Sequence, residues 1–364
     1  MPEPLKVGLV GTGGISNRHM DAYLRFPDRV RLMAVCDIVR PLAEEYAKKT
    51  GVEAVYTDYE KMLREADIDA VDICTGHRHH APQAIAAAQA GKHALTEKAM
   101  AQNLDECRAM IRAADKAGTT LMVAQHLRYS PEARAAKRLI EDGGLGDIQA
   151  ARTHLIMSGP RKSWMNDAKE GGGVLALNSI HHLDLLRYYV GNVKRVTGVC
   201  RSVQPEMLNG AEDLVAGTLE FDNGAIGDMF ASWTTYVAPS VPSYTVIGTK
   251  GTIQSTPPDL DTDEDRPVSH FGKVLFADKE DLDPRNRPED LQKILNPPFE
   301  PIPTSDVELP SSNFFVNEIL HFAECAKSGA EPISSGRDNI ESMKVMLGIF
   351  ESSRTGRAVD LDNL

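Results

Sequence analysis

The chain has 364 residues, 42% hydrophobic and 25% charged, with a formal net charge of −12 at neutral pH. That length exceeds one ordinary core and predicts two domains, while the acidic balance excludes nucleic acid or an anionic membrane surface as main partner, since both need a basic face. Five cysteines with no C-x-x-C pair exclude a closed disulfide framework and fit reduced thiols in a cytoplasmic protein.

The opening MPEPLKVGLVG has no basic stretch leading into an apolar one, so no signal peptide is read. No apolar run approaches the ~20 residues needed to span a bilayer. Short β-branched runs at 5–11, 31–37, 70–76, 92–98 and 120–125 then alternate with Ala-rich helical stretches near 15–26, 41–49, 59–66, 81–90 and 104–117. Such alternation predicts a parallel sheet with helices on both faces, because parallel neighbours need long crossovers. After residue 125 the pattern changes. A helix at 131–142 stops at DGGLG, and the strand QAARTHLIMSG and an apolar helix after GGG at 171–173 follow. The strands VKRVTGVC, DLVAGTLEF and AIGDMFASWT come next, with hairpin signals at DNG (222–224) and around 248–251. This predicts an α+β domain over 126–364 with a large open, mainly antiparallel sheet. Residues 255–312, rich in Pro and Asp, read as a solvated loop, with a lid or subunit-contact arm as the alternative. Helices at 313–328 and 337–354 close the chain, and no internal repeat is found.

The segment GLVGTGGIS places Gly11, Gly13, Gly14 and Ile15 between the first strand and the first helix, with Ser16 where a third glycine or alanine is usual. A lone fingerprint of this kind is weak, but here a strand precedes it, a helix follows, and Asp37 ends the second strand. The helix N-terminus offers free N–H groups to a pyrophosphate, and Asp37 accepts from the adenosine ribose hydroxyls. A 2′-phosphate would face that carboxylate, so NAD is expected over NADP; Arg40, three residues on, leaves NADP open. Glu97 and Lys98 fall at the carboxyl end of the fourth strand, where open α/β sheets bind ligands. His181 and His182 sit side by side in the helix after the triple glycine.

These segments, with TGHRHHAPQAIAAAQAGKHALTEKAMA at 75–101, GGLGDI at 143–148, GGGVLALNSIHHLDLLRYYVG at 171–191 and the ending SSRTGRAVDL, resemble the glucose–fructose oxidoreductase/inositol dehydrogenase (Gfo/Idh/MocA) family over nearly the whole chain. The resemblance implies a Rossmann NAD-binding domain over 1–125 and a substrate-binding and oligomerisation domain over 126–364, with the active site in the cleft between them. It implies dimers or tetramers through the open sheet, and NAD(P)-linked oxidation of a secondary alcohol of a sugar, polyol or glycoside. It adds Thr75, His77 and His80 to the cofactor side, with His77 near the nicotinamide ribose. Two positions depart from the pattern. The family's E-K-P reads Glu97-Lys98-Ala99, which frees φ at residue 99. The acid usual four residues before the catalytic histidine is Leu177, with Asn178 beside it.

Removing a hydride and a proton from an alcohol needs a base and a group to hold the developing alkoxide. Histidine, with a reference pKa of about 6.5, suits the first role, and a lysine cation the second. Lys98 is therefore assigned to the alkoxide and His181 to the proton. Asn178 would orient the hydroxyl or the imidazole, and Asp184 reads as a buried helix-to-loop partner. At ~100° per residue His181 shares an arc with Asn178 and Asp184, whereas His182 turns toward Ser179 and Leu186. Arg128, Lys162 and Trp164, and more weakly Tyr236, are the candidates for sugar contacts; a Trp face suits a pyranose ring. The His77–His80 cluster lacks a Cys/Asp set at ligand spacing, so no metal is expected. Two other readings stand beside the dehydrogenase. One is a glycosidase of the same superfamily using bound NAD for transient oxidation, separated by the absence of net NADH. The other is a non-enzymatic sugar or nucleotide sensor, against which Lys98 and His181 speak.

Overall fold

In the computed structural model, residues 3–160, 163–235, 241–256, 274–278 and 299–364 are described. Six strands, β1 (Leu5–Val10), β2 (Val30–Cys36), β3 (Ala54–Tyr56), β4 (Ala70–Ile73), β5 (His93–Thr96) and β6 (Leu121–Val123), pair in parallel in the order β3-β2-β1-β4-β5-β6. β4 and β6 are buried throughout, as strands covered on both faces must be. The crossovers are helices α1 (Ser16–Arg25), α2 (Arg40–Thr50), α3 (Tyr59–Glu65), α4 (His77–Gln89) and α5 (Leu104–Ala117). Two details differ from expectation. β3 is only three residues long at the sheet edge, too short to leave a pattern. Helix α4 starts at His77 rather than near Pro82, which lies inside it.

The chain divides into two compact units that are not contiguous in sequence. The first is Met1–His126 with Asp167–Gly172 and Phe314–Lys344; the second is Leu127–Asn166, Gly173–Asn313 and Val345–Leu364. The first boundary falls beside residue 125, but later segments return to the first unit. The reason is burial: β1 and β2 need cover, and α8 (Phe314–Ser328) packs against them and against α1. Helix α9 (Gly336–Thr355) contributes to both units.

The second unit holds a nine-stranded sheet. Its strands are β7 (Ile148–Ile156), β8 (Val193–Arg201), β9 (Leu214–Phe221), β10 (Ile226–Ser232), β11 (Tyr244–Gly248), β12 (Gly251–Ser255), β13 (Val274–Asp278), β14 (Glu300–Pro301) and β15 (Val359–Asp360). Their order is β14-β13-β12-β11-β7-β10-β9-β8-β15, antiparallel except for the parallel pair β7–β10. The stretch read as a loop at 255–312 thus supplies β13 and β14 to the sheet, while 257–273 and 279–298 lie outside the described residues. One face buries Val196, Leu219, Met229, Ala231 and Val246 beneath helices. There α7 (Ile180–Val190) lies on β7 and β11, and α9 presses close enough to β8 for the Ser352 hydroxyl to accept from Gly198 N–H at 3.0 Å. The opposite face carries Val199, Ala216, Phe230 and His154 side by side, next to a row of Thr197, Thr218, Asp228 and Arg152. Among the described residues, no helix is long and apolar enough to cross a membrane.

Candidate active site

The Gly-rich turn leaves β1 at Gly11, whose φ is +90° and whose missing Cβ would stand 2.8 Å from the Cys74 carbonyl carbon. Glycine is required there both for the turn and for the approach to β4. By contrast, side chains at Gly13 and Gly14 would meet nothing within 4 Å. The turn is braced from behind: Ser16 Oγ donates to Gly13 O at 2.8 Å. Helix α1 has no side-chain cap at Ile15 and no acid in its first turn. An open, uncapped helix N-terminus behind two bare glycines fits a pyrophosphate.

Asp37 Oδ2 accepts from Thr12 N–H at 2.8 Å and from Thr12 Oγ1 at 3.0 Å, and Oδ1 accepts from Val39 N–H at 2.8 Å. The carboxylate is thereby held against the glycine turn, where a ribose would need it. Arg40 turns to Glu44 at 2.8 Å in an exposed pair, an arrangement of small energetic weight.

On the β4–α4 side, Thr75 Oγ1 donates to Gln83 Oε1 at 2.6 Å. His80 is fully buried, with Nδ1 2.8 Å from Ala99 O and Nε2 2.9 Å from Thr75 O, so it ties the two segments together. His77 places Nδ1 2.7 Å from Gly171 O, and a carbonyl can only accept, so Nδ1 carries the proton. Burial first, then His80 and Lys98, hold the His77 pKa well below the ordinary imidazole range. Its ring is neutral, and a backbone hydrogen bond with Lys98 holds it beside the one to Gly171.

Glu97 and Lys98 follow β5, as the strand pattern requires. Glu97 is buried, with Oε1 3.3 Å from His19 Nε2 and Oε2 accepting from Lys98 N–H at 3.1 Å. The Lys98–Ala99 peptide is cis. Lys98 is half-buried, and burial lowers its pKa against the pull of Glu97.

In the second unit the helix after the triple glycine opens with a π turn over Leu175–Ser179 before α7 begins. The π turn adds a residue to the ring, so the regular ~100° spacing does not carry from Asn178 to His181. Asn178 Oδ1 accepts from Trp233 Nε1 at 3.0 Å. Indole only donates, so the amide nitrogen of Asn178 faces the other way. His181 and His182 are both buried. Thr153 Oγ1 gives its one proton to Ser243 O at 2.9 Å, so His182 Nδ1, at 2.9 Å, donates to that hydroxyl.

Arg128 departs from the expected sugar contact. It is 2% exposed, and its Nε and Nη2 hold Asp184 at 2.6 and 2.7 Å beneath the Tyr188 ring. A short side chain on α7 facing a guanidinium forms a buried fork pair, which takes Arg128's donors inward. Asp184 is the buried partner expected of it. Trp164 is 41% exposed in a short 3-10 turn. Lys162 and Tyr236 lie outside the described residues.

Three features escaped the sequence reading. His19, Asp72 and Tyr23 form a buried cluster beneath the glycine turn; an acid amid the apolar run AVDI was the visible signal, since a buried carboxylate needs partners. Trp233 left no signal, because only the folded sheet brings it to Asn178. Glu212 is 3% exposed and accepts from Leu175 N–H at 2.8 Å, and burial pushes its pKa up to about 7.

Residues 5–125 match the family domain described as "Oxidoreductase family, NAD-binding Rossmann fold", and residues 137–361 match "Oxidoreductase family, C-terminal alpha/beta domain". The chain is 28% identical to D-apiose dehydrogenase of Paraburkholderia graminis, over 99% of this chain and 90% of that protein. It is 30% identical to levoglucosan dehydrogenase of Pseudarthrobacter phenanthrenivorans, over 68% of this chain and 73% of that one. A solved levoglucosan dehydrogenase in complex with NADH superposes with a TM-score of 0.83 at 25% identity, covering 99% of both chains. With both domains matched and the dinucleotide turn formed, the chain belongs to the Gfo/Idh/MocA oxidoreductase family and binds NAD in its Rossmann domain.

Proposed function

We propose that this chain oxidises one secondary hydroxyl of a sugar, polyol or glycoside, with NAD as the preferred dinucleotide. The observation that carries the reading is Lys98, a lysine at the carboxyl edge of a dinucleotide-binding sheet whose burial loosens its hold on its proton. Related proteins named D-apiose dehydrogenase, levoglucosan dehydrogenase and scyllo-inositol 2-dehydrogenase support the substrate class.

When bound, the dinucleotide supplies the oxidising equivalent, taking two electrons and a hydrogen from the alcohol carbon. Gly13, Gly14 and the N-terminus of α1 hold its phosphates, Ile15 flanks them, and Asp37 takes the ribose hydroxyls. Thr75, His77 and His80 shape the nicotinamide side, and Glu97 sets the backbone that presents Lys98. The Lys98 ammonium lowers the energy of the developing alkoxide, and His181 accepts the hydroxyl proton. Asn178, its oxygen taken by Trp233, presents N–H donors to a substrate oxygen. Trp164 offers an exposed ring for a pyranose face. The open face of the nine-stranded sheet is assigned to self-association, and five free thiols fit the cytoplasm.

The test is NAD⁺ reduction across a panel of inositols, aldoses, anhydrosugars and glycosides. At least one member should give net reduced cofactor, and Lys98→Met should lower kcat by at least about 10². Glycoside cleavage without net reduction, or binding without turnover, would replace this reading with that of a glycosidase or a sensor.

A further inference from the structure

Helix α1 does more than present its N-terminus. His19, one turn in, is wholly buried, with Nδ1 2.8 Å from Asp72 Oδ2 and Nε2 3.3 Å from Glu97 Oε1. Nδ1 donates to Asp72, and Glu97 stands at ion-pair distance from Nε2 without a hydrogen bond between them, so a carboxylate on each side favours the charged ring. Full burial opposes that charge, but Asp72 and Cys74 outweigh it and hold the His19 pKa well above the ordinary range. The surroundings are built to keep this arrangement. Tyr23 donates to the same Asp72 oxygen at 2.7 Å, Cys74 Sγ lies 3.6 Å from His19 Nδ1, and the Phe315 ring lies 6.0 Å away. The ligand atoms of His19, Asp72 and Cys74 all lie within 4.8 Å of one another, as a metal site's would, but Asp72 already accepts from Tyr23 and His19.

The far end of the chain is chemical. The Glu97 oxygen not facing His19 accepts from Lys98 N–H at 3.1 Å. Asp72, His19 and Glu97 thus alternate in charge from the middle of β4, and Glu97 reaches the residue assigned to the alkoxide through its backbone N–H. A buried ionic line of this kind is weak evidence of stability, because desolvation offsets attraction. Its distinct effect is geometric: turning Glu97 away would leave the buried His19 cation facing one carboxylate instead of two.

We propose that His19 is a positioning residue for Lys98: clamped between Asp72 and Glu97, it holds the Glu97 carboxylate inward, so that the Glu97–Lys98 backbone bond fixes where the lysine is presented. This rests on the assignment of Lys98 above. A helix that binds the dinucleotide at its first turn thereby sets the catalytic lysine from its second.

The experiment is a double-mutant cycle of wild type, His19→Gln, Lys98→Met and the double variant, with kcat and the NAD dissociation constant measured for each. His19→Gln should lower kcat by about 10- to 100-fold, the cost of a displaced group, and change NAD affinity by less than about threefold. In the Lys98→Met background the same change should lower kcat by no more than about twofold, since a residue acting through Lys98 has nothing left to position. An equal loss in both backgrounds would make His19 merely structural and overturn the proposal. A Lys98→Met variant as fast as wild type would instead remove Lys98 from the mechanism, and this inference with it. Should His19→Gln fail to fold, Glu97→Gln, which keeps shape and removes charge, takes its place in the cycle with the same expected collapse.

Discussion

At the scale of single residues, Asp37 and Arg128 differ in how far chain-local chemistry explains them. Asp37 is bonded to Thr12 and Val39 before any ligand arrives, so its carboxylate is preorganised. Charged hydrogen bonds contribute about 1.5–3 kcal/mol, so Asp37→Ala should weaken NAD binding by more than about tenfold. It should also narrow the preference over NADP; calorimetric titration with both dinucleotides checks this, and unchanged selectivity would sink the role. Arg128 is the opposite case. Its guanidinium is bound to Asp184 inside the second unit, so Arg128→Gln leaves a buried carboxylate uncompensated. Breaking such a pair costs about 3–5 kcal/mol, read as a shift in the urea midpoint. Normal stability with a raised KM for substrate would return Arg128 to the sugar.

At the scale of elements, the π turn ahead of α7 matters most. It is held at Gly173, whose φ is +117° and whose missing Cβ would stand 2.4 Å from a Glu212 oxygen. Glu212 caps that turn through Leu175 N–H while burial raises its pKa from 4.5 to about 7. A folded-state pKa above the unfolded value means that the native chain binds the proton more tightly. The contribution is therefore complete below pH 4.5 and is lost as pH rises to about 7 and beyond. A shift of this size is worth about 3 kcal/mol. Glu212→Gln keeps the acceptor and removes the charge, so its stability relative to wild type should climb with pH by about that amount. Denaturation of both proteins at pH 5 and pH 8 measures the difference, and a gap independent of pH would show that Glu212 is solvated enough to ionise as in the unfolded chain.

At the scale of the whole molecule, among the described residues one sheet is covered on both faces and the other on one. The uncovered face of the nine-stranded sheet exposes Val199 (48%), Ile226 (64%) and Ile247 (38%) among threonines and ion pairs. Mixed apolar and polar surface of that extent suits a second copy of the chain. Light scattering should give wild type a multiple of 39.8 kDa, and Val199→Arg with Ile226→Arg should lower it toward a single chain. A monomeric wild type would reject the assignment.

The sequence by itself determined the strands and helices with strong periodicity, the glycine turn with its acid at Asp37, and the segments carrying Lys98 and His181. Those signals are local: spacing along one strand, one turn or one helix is set by neighbours in the chain. Only the tertiary structure decided what each polar group faces. Arg128 met Asp184, Trp233 took the oxygen of Asn178, and His19 came between Asp72 and Glu97, each across tens of residues. It also decided that α8 belongs with the parallel sheet and that residues 274–278 make a strand. The physical reason is the same in each case. Burial forces polar groups to find partners and bare sheet faces to find cover, and those partners are chosen by packing in space, which residue spacing does not encode.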